Sequence, residues 1–274
     1  MPEDELVTNV DDPRLLDAID RNVAEMSAGV AASVGGEVYR GPDLIRYVTD
    51  IPDVIVNGIH AARFAEDSLD TAIERALAPF KERGLPTSWL VNPASSRPLN
   101  LGERLAALGL QPQSGRQGFA ANINEVGQPV ALPGVTIERV KNDADAEAWT
   151  QIFASGMRIA PESVGVMQYI VKRALTRNDP LHAYYLAFLD GAPVGVGALY
   201  LRAGVAGVHS VTTLESARNR GIATELVRQA ALDARQAGYQ VAVAHFRPMG
   251  SELPAPLGFK LAAQYTAYLW TPPE

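Results

Sequence analysis

No cysteine occurs in the 274 residues of this chain, which excludes disulfides, thiolate nucleophiles and cysteine-bound metals. Aromatic residues are sparse at 7%. No run approaches ~18 consecutive apolar residues, so a membrane-spanning helix is not expected. Basic residues are the minority, 24 Lys and Arg against 31 Asp and Glu, for a formal net charge of −7. That balance argues against a nucleic-acid partner. There are only four histidines, and their spacing suggests no metal site. The opening residues Met1-Pro2-Glu3-Asp4-Glu5 lack the basic and apolar regions of a secretory signal. A cytoplasmic protein is the simplest expectation. What the chain does contain is a hydrophobic fraction of 47%, enough for a packed core in one large domain or two ordinary ones.

The pattern reads as two halves after an opening helix. In that helix Asp12 is placed to cap, Pro13 suits the first turn, and Leu16, Ile19, Val23 and Met26 share a face before Gly29. The first half offers strands near 44–48, 54–59 and 87–91, a helix over about 68–83 ended by Gly84, and a last strand over 118–123. The second half offers strands over 135–140, 183–189, 194–201 and 205–214, and helices from Asn142 or Asp143 and over 162–175. A helix over 222–237 and strands over 239–246 and 262–270 complete it. Leu108-Gly109-Leu110 and Leu257-Gly258-Phe259 close the halves alike. The turn segments Gly127-Gln128-Pro129 and Pro133-Gly134 mark the boundary, giving domains 1–130 and 131–274. Gly195 and Gly197 lie within a strand with no helix behind them, which predicts close packing rather than a nucleotide fingerprint.

The chemistry concentrates at Arg218-Asn219-Arg220-Gly221-Ile222-Ala223. This stretch joins an apolar strand to a helix as a short basic loop on an acidic protein. Gly221 and Ala223 leave room for a ligand beside the backbone, and a first helical turn offers unpaired N–H groups. Those donors, the helix dipole and two arginine forks suit a phosphorylated ligand. The corresponding helix of the first half opens with Glu66, Asp67 and Asp70 instead, with Ser68 as a possible cap. Carboxylates there repel a pyrophosphate, so that half is expected to serve as a structural partner or as a wall of the substrate pocket.

The spacing Arg218-x-x-Gly221-x-Ala223 resembles the Arg/Gln-x-x-Gly-x-Gly/Ala loop of the GNAT acetyltransferase superfamily. The flanking strand Val208-His209-Ser210-Val211-Thr212-Thr213 and the late Leu257-Gly258-Phe259 resemble that family too. The resemblance implies an α/β (α+β) fold of two GNAT-like domains, each a central mixed, mostly antiparallel sheet flanked by helices. The N-terminal one would be degenerate, without the pyrophosphate loop. It also implies acetyl-CoA as co-substrate, no metal, and direct acetyl transfer to a primary amine of a small molecule. Val211, Thr212 and Thr213 would flank the pantetheine arm. Arg218, Asn219, Arg220, Gly221, Ile222, Ala223 and Thr224 would surround the pyrophosphate.

Two positions depart from the family. The strand position where many members carry a glutamate is Gly207 here, and the position of a tyrosine often present before Leu-Gly-Phe is Pro254. His209, two residues beyond Gly207, is the candidate catalytic base; a neutral histidine packed in the strand is the other reading. Tyr265 and Tyr268 are candidate replacements for the tyrosine; the other reading is a thiolate that leaves unaided, since a thiol pKa of about 8.5 makes it a fair leaving group. These departures keep a rival open, a non-catalytic acyl-CoA-binding or regulatory protein on the same scaffold. A further rival is an interaction module whose basic loop holds only adventitious anions. The acceptor amine and the oligomeric state are not readable from the sequence.

Overall fold

An alanine stripe sets the first packing decision in the chain. Ala24, Ala28 and Ala31 of helix α1 (Leu15–Ser33) lie against Ile45 and Tyr47 of strand β2 (Ile45–Val48). That contact carries α1 past Gly29, at which it was expected to stop, because packing outweighs the ~1 kcal/mol that a helical glycine costs. Asp12 and Pro13 lie ahead of the helix, whose N-cap is Arg14 without a side-chain cap. The computed structural model describes residues 5–157, 159, 161–177, 179–246 and 255–273.

The chain divides into two compact units. One comprises Pro13–Gly118, Phe246–Met249 and Leu261–Glu274, and is the N-terminal unit. In it β1 (Glu37–Arg40) pairs antiparallel with β2, β2 antiparallel with β3 (Gly58–His60), and β3 parallel with β4 (Thr87–Val91). On its other side β4 pairs with β11 (Lys260–Trp270), antiparallel, with Thr266 opposite Val91 and Trp270 opposite Thr87. Helix α2 (Leu69–Arg83) covers this sheet with Leu69, Ile73, Leu77 and Phe80 buried, and ends on Gly84 in the left-handed conformation. Helix α3 (Leu101–Ala107) adds Leu101 and Leu105 to the same core. Strand β5 (Gln111–Asn122) follows.

The C-terminal unit comprises Met1–Asp12, Phe119–His245 and Gly250–Lys260. Its strands run in the order β6 (Val135–Arg139), β7 (His182–Leu189), β8 (Ala192–Arg202), β9 (Val205–Thr213), β10 (Val241–Phe246). The first four are antiparallel neighbours, and β9 and β10 are parallel. Asp190 and Gly191, at φ 50° and 83°, close the β7–β8 hairpin as a two-residue turn of the primed kind. Helix α4 (Asp143–Met157) is capped by Asn142, whose Oδ1 accepts from the Asp145 N–H at 2.9 Å. Helices α5 (Pro161–Arg177) and α6 (Ile222–Gln236) complete the unit. Each unit is thus a mixed, mostly antiparallel sheet flanked by helices. Each also repeats one motif, a parallel strand pair joined by a helix, β3–α2–β4 and β9–α6–β10. Among the described residues no helix is long and apolar enough to cross a membrane.

Candidate functional site

The middle of β9 carries the deformation that shapes the site. Val196 of β8 stands opposite Thr212 and Ala198 opposite His209, so two residues, Ser210 and Val211, face the single Gly197. This is a β-bulge, and Ser210 takes its left-handed position at φ 58°. The extra residue resets the alternation of side chains. Thr212 lies over Gly156 of α4, while Val211 shares the surroundings of Gly197 with Leu226 of α6. Adjacent residues therefore point to opposite faces, with α4 on one and α6 on the other. The Gly197 carbonyl accepts from the Trp149 indole N–H of α4 at 3.1 Å, both groups buried. Gly195 is close-packed as expected, since a Cβ there would stand 3.2 Å from Ile222.

Trp149→Phe removes the only hydrogen-bonding group of that indole and leaves the Gly197 carbonyl short of a donor. A loss of about 1–3 kcal/mol is expected, read as a melting temperature lower by roughly 3–8 °C. A variant melting with the native protein would dismiss this bond as a support of the bulge.

Beyond the bulge, β9 ends at Thr213, Glu215–Ala217 forms a single 3₁₀ turn, and the loop of Arg218, Asn219 and Arg220 leads to Gly221. Asn219 and Gly221 both have positive φ, 62° and 78°; asparagine tolerates that region better than most residues, and glycine adopts it freely. Gly221 is the N-cap of α6, and no side chain caps this helix. The amides of Ile222, Ala223 and Thr224 make up its first turn, where a helix has no carbonyl of its own to bond. Glu225, the acidic residue of that turn, is turned into the protein. It accepts from the Val130 N–H at 2.9 Å and from Arg228 Nε at 3.0 Å. Its charge is thereby paired, and the helix start retains its positive end. Arg218 reaches back, its Nε donating to the Thr213 carbonyl at 3.3 Å. Thr213 Oγ1 is buried with no hydrogen-bond partner among the described residues.

The β9–β10 pair opens beside this loop. Its parallel register runs from Ala206↔Ala242 to Val208↔Ala244 and no further. His209, the first residue past it on β9, is 6% exposed. Its ring lies parallel to that of His245 on β10, at 5.8 Å between centroids and 9° between planes. Gly207 stands opposite Tyr200, whose ring packs on His182 at 4.4 Å. Burial lowers the His182 pKa to about 4. Pro254 lies outside the described residues. Tyr265 is committed elsewhere, its hydroxyl donating to Asp20 in the N-terminal unit at 2.7 Å. Tyr268 lies over Gly102 in that unit. No group of three or more possible ligands for a metal ion exists among the described residues.

The corresponding place in the N-terminal unit is filled by its own chain. The β3–β4 register ends at Ile59↔Trp89, and the next residue is again a histidine, His60. Here the imidazole is closed off: Nε2 meets the Tyr47 hydroxyl at 3.0 Å, and burial lowers its pKa to about 3. Past His60 the backbone folds across the opening. The Arg97 N–H donates to Ala62 at 3.1 Å, and the Phe64 N–H donates to Arg97 at 3.0 Å. A 3₁₀ turn, Glu66–Ser68, precedes α2, and Ser68 makes no side-chain cap.

Comparison with known families matches residues 147–248 to the Acetyltransferase (GNAT) family. Several solved structures share the fold over nearly the whole chain. A GCN5-related N-acetyltransferase from Kribbella flavida is 18% identical, with 92% of this chain and 95% of that one covered and a TM-score of 0.66. A GCN5-related N-acetyltransferase from Sphaerobacter thermophilus is 16% identical, covering 94% and 92%, at a TM-score of 0.63. A tandem GNAT protein from the clavulanic acid biosynthesis pathway is 12% identical, covering 98% of both chains, at 0.61. No curated protein matches.

Proposed function

We propose, on the premise that residues 147–248 form a GNAT acetyltransferase domain, that this protein transfers an acetyl group from acetyl-CoA to the primary amine of a small molecule. The observation that carries the reading is the uncapped start of α6 at Gly221, flanked by Arg218 and Arg220. An unsatisfied helix N-terminus with guanidinium groups beside it suits a pyrophosphate. In this reading the amides of Asn219, Arg220, Gly221, Ile222, Ala223 and Thr224 hold that group. The edge of β9 past Val208 takes the pantetheine arm along Val211, Thr212 and Thr213, and the orphan Thr213 hydroxyl is a ready partner for one of its amides.

The chain's own part in the chemistry is positioning and proton transfer. A free amine attacks the thioester carbonyl, the C–N bond forms, the C–S bond breaks, and the amine must lose a proton. His209 is the base in this reading, because it stands where the strands part and Gly207 offers no side chain. A positioned base is commonly worth ~10²–10⁴-fold in rate. The domains, 1–130 as a degenerate GNAT-like half and 131–274 as the acetyl-CoA-binding half, divide the work in the same sense. The N-terminal half lacks the basic loop, and its own backbone fills the equivalent opening.

Calorimetric titration with acetyl-CoA tests the reading directly. One coenzyme per chain is expected, at micromolar affinity, because the N-terminal opening is closed by its own backbone and lacks the basic loop. Turnover on a panel of amines, lost in His209→Ala while binding persists, then separates an enzyme from a non-catalytic acyl-CoA-binding protein. Two coenzymes per chain would contradict the closed N-terminal opening. No binding at millimolar concentration would remove the acetyltransferase reading.

A further inference from the structure

The parting of β9 and β10 has an imidazole on each side. The last paired residues are Val208 and Ala244, and the next on each strand are His209 and His245. Opposed residues of neighbouring strands share a face, and the parallel rings at 5.8 Å agree with that. One histidine accounts for the amine's proton. The other end of the reaction also needs attention, because a thiolate leaves and its proton must come from somewhere.

Among the described residues, the two other candidates, Tyr265 and His182, do not meet that need. Pro254, at the position where a tyrosine often stands in the family, has no side-chain donor. The Tyr265 hydroxyl is spent on Asp20. His182 is packed between Tyr184 and Tyr200, and burial keeps it neutral near pH 7. His245 is half-buried, on the face of His209, where β9 and β10 part beside the basic loop.

We propose that His245 is the proton donor to the departing coenzyme thiolate, working beside His209 as an imidazole pair; this rests on the acetyl-CoA reading above. The step balances. The amine nitrogen forms a bond to the carbonyl carbon, and its proton passes to His209. The C–S bond breaks with its electron pair going to sulfur, and His245 gives that sulfur a proton. The pair carries one proton throughout the turnover, on His245 before it and on His209 after it. A single transfer from His209 to His245 restores the starting state without any other reactant.

The test needs no knowledge of the acceptor. Coenzyme A and desulfo-coenzyme A, which lacks the thiol, are titrated by calorimetry at pH 8.5, where a free thiol is about half ionised. The native protein is expected to prefer coenzyme A by about tenfold or more, the effect of a charge-assisted hydrogen bond to sulfur. His245→Ala is expected to bring the two affinities together by weakening coenzyme A alone, and retained binding of the desulfo compound reports an intact site. His245→Gln, which can still donate from its amide, should keep part of the preference. A merely structural histidine would weaken both ligands equally, and that result overturns the proposal. So does a native protein that binds both alike, or a preference undiminished in His245→Ala. In each of those cases coenzyme binding itself still stands. Failure of the native protein to bind either compound instead overturns the acetyl-CoA reading and the proposal with it.

Discussion

Gly221→Glu is expected to weaken coenzyme binding by on the order of a hundredfold or more, the result of placing like charge against a pyrophosphate. Two effects combine at this residue. Gly221 has φ 78°, a conformation that costs a side-chain-bearing residue about 1–2 kcal/mol. It also stands at the positive end of α6, where the proposed reading puts the pyrophosphate, so an added carboxylate would bring like charge beside it. Among the described residues a Cβ there would meet only Leu132, at 3.5 Å, an ordinary van der Waals contact that leaves space for the substitution. Gly221→Ala separates the two effects, since it introduces the backbone strain without the charge. The alanine variant is expected to lose stability while binding within roughly fivefold of native, a small part of the free energy in question. Calorimetry on the three proteins decides. A glutamate variant that binds like the native protein would move the coenzyme away from this loop.

This loop was legible because its requirements are local. Gly221 and Ala223 are small where a helix begins, two arginines flank them, and a six-residue window holds all of it. Features set by distant partners were not legible. Strict alternation along β9 continues the face of Gly207 and His209 through Val211 and Thr213, yet the bulge at Ser210 transfers that face to Thr212. Nothing about a serine in a β-branched run announces a left-handed residue. Across the strand from the bulge stands Gly197, whose carbonyl accepts from the Trp149 indole of α4. Ser68 looks like a cap and does stand at the N-cap position of α2, but it also ends the 3₁₀ turn Glu66–Ser68 and its side chain makes no cap bond. The last strand was readable as a strand, while its partner β4 lies so far back in the chain that periodicity has no bearing on the choice. His60 looked isolated in sequence. Its kinship with His209 shows only in the register, since each is the first residue beyond a parallel pair.

The same limit hid Asp20, whose removal carries the largest stability effect expected of this chain. In sequence it is one acidic residue in an amphipathic helix, the usual sign of a solvated position. In the N-terminal unit it is 4% exposed. Its Oδ1 accepts from Asn92 Nδ2 at 3.0 Å and from the Tyr265 hydroxyl at 2.7 Å, and Oδ2 accepts from the Ser95 hydroxyl. One carboxylate thus joins α1, the loop after β4, and β11. Asp20→Ala orphans three buried donors together, for an expected loss of about 3–5 kcal/mol. That corresponds to a melting temperature lower by roughly 8–15 °C. Burial raises the Asp20 pKa above 3.8, while its hydrogen bonds and the Arg63 charge pull the other way. A carboxyl group with a raised pKa stabilises the fold most fully below its unfolded value, and that contribution fades as pH climbs through its folded value. Asp20→Asn cannot titrate, so the native advantage over it is expected to grow as pH falls from 7 towards 4. Melting both proteins across that range checks the sign. An advantage that instead shrinks in acid would mean that the three donors and Arg63 outweigh burial, and that Asp20 is held below its ordinary pKa.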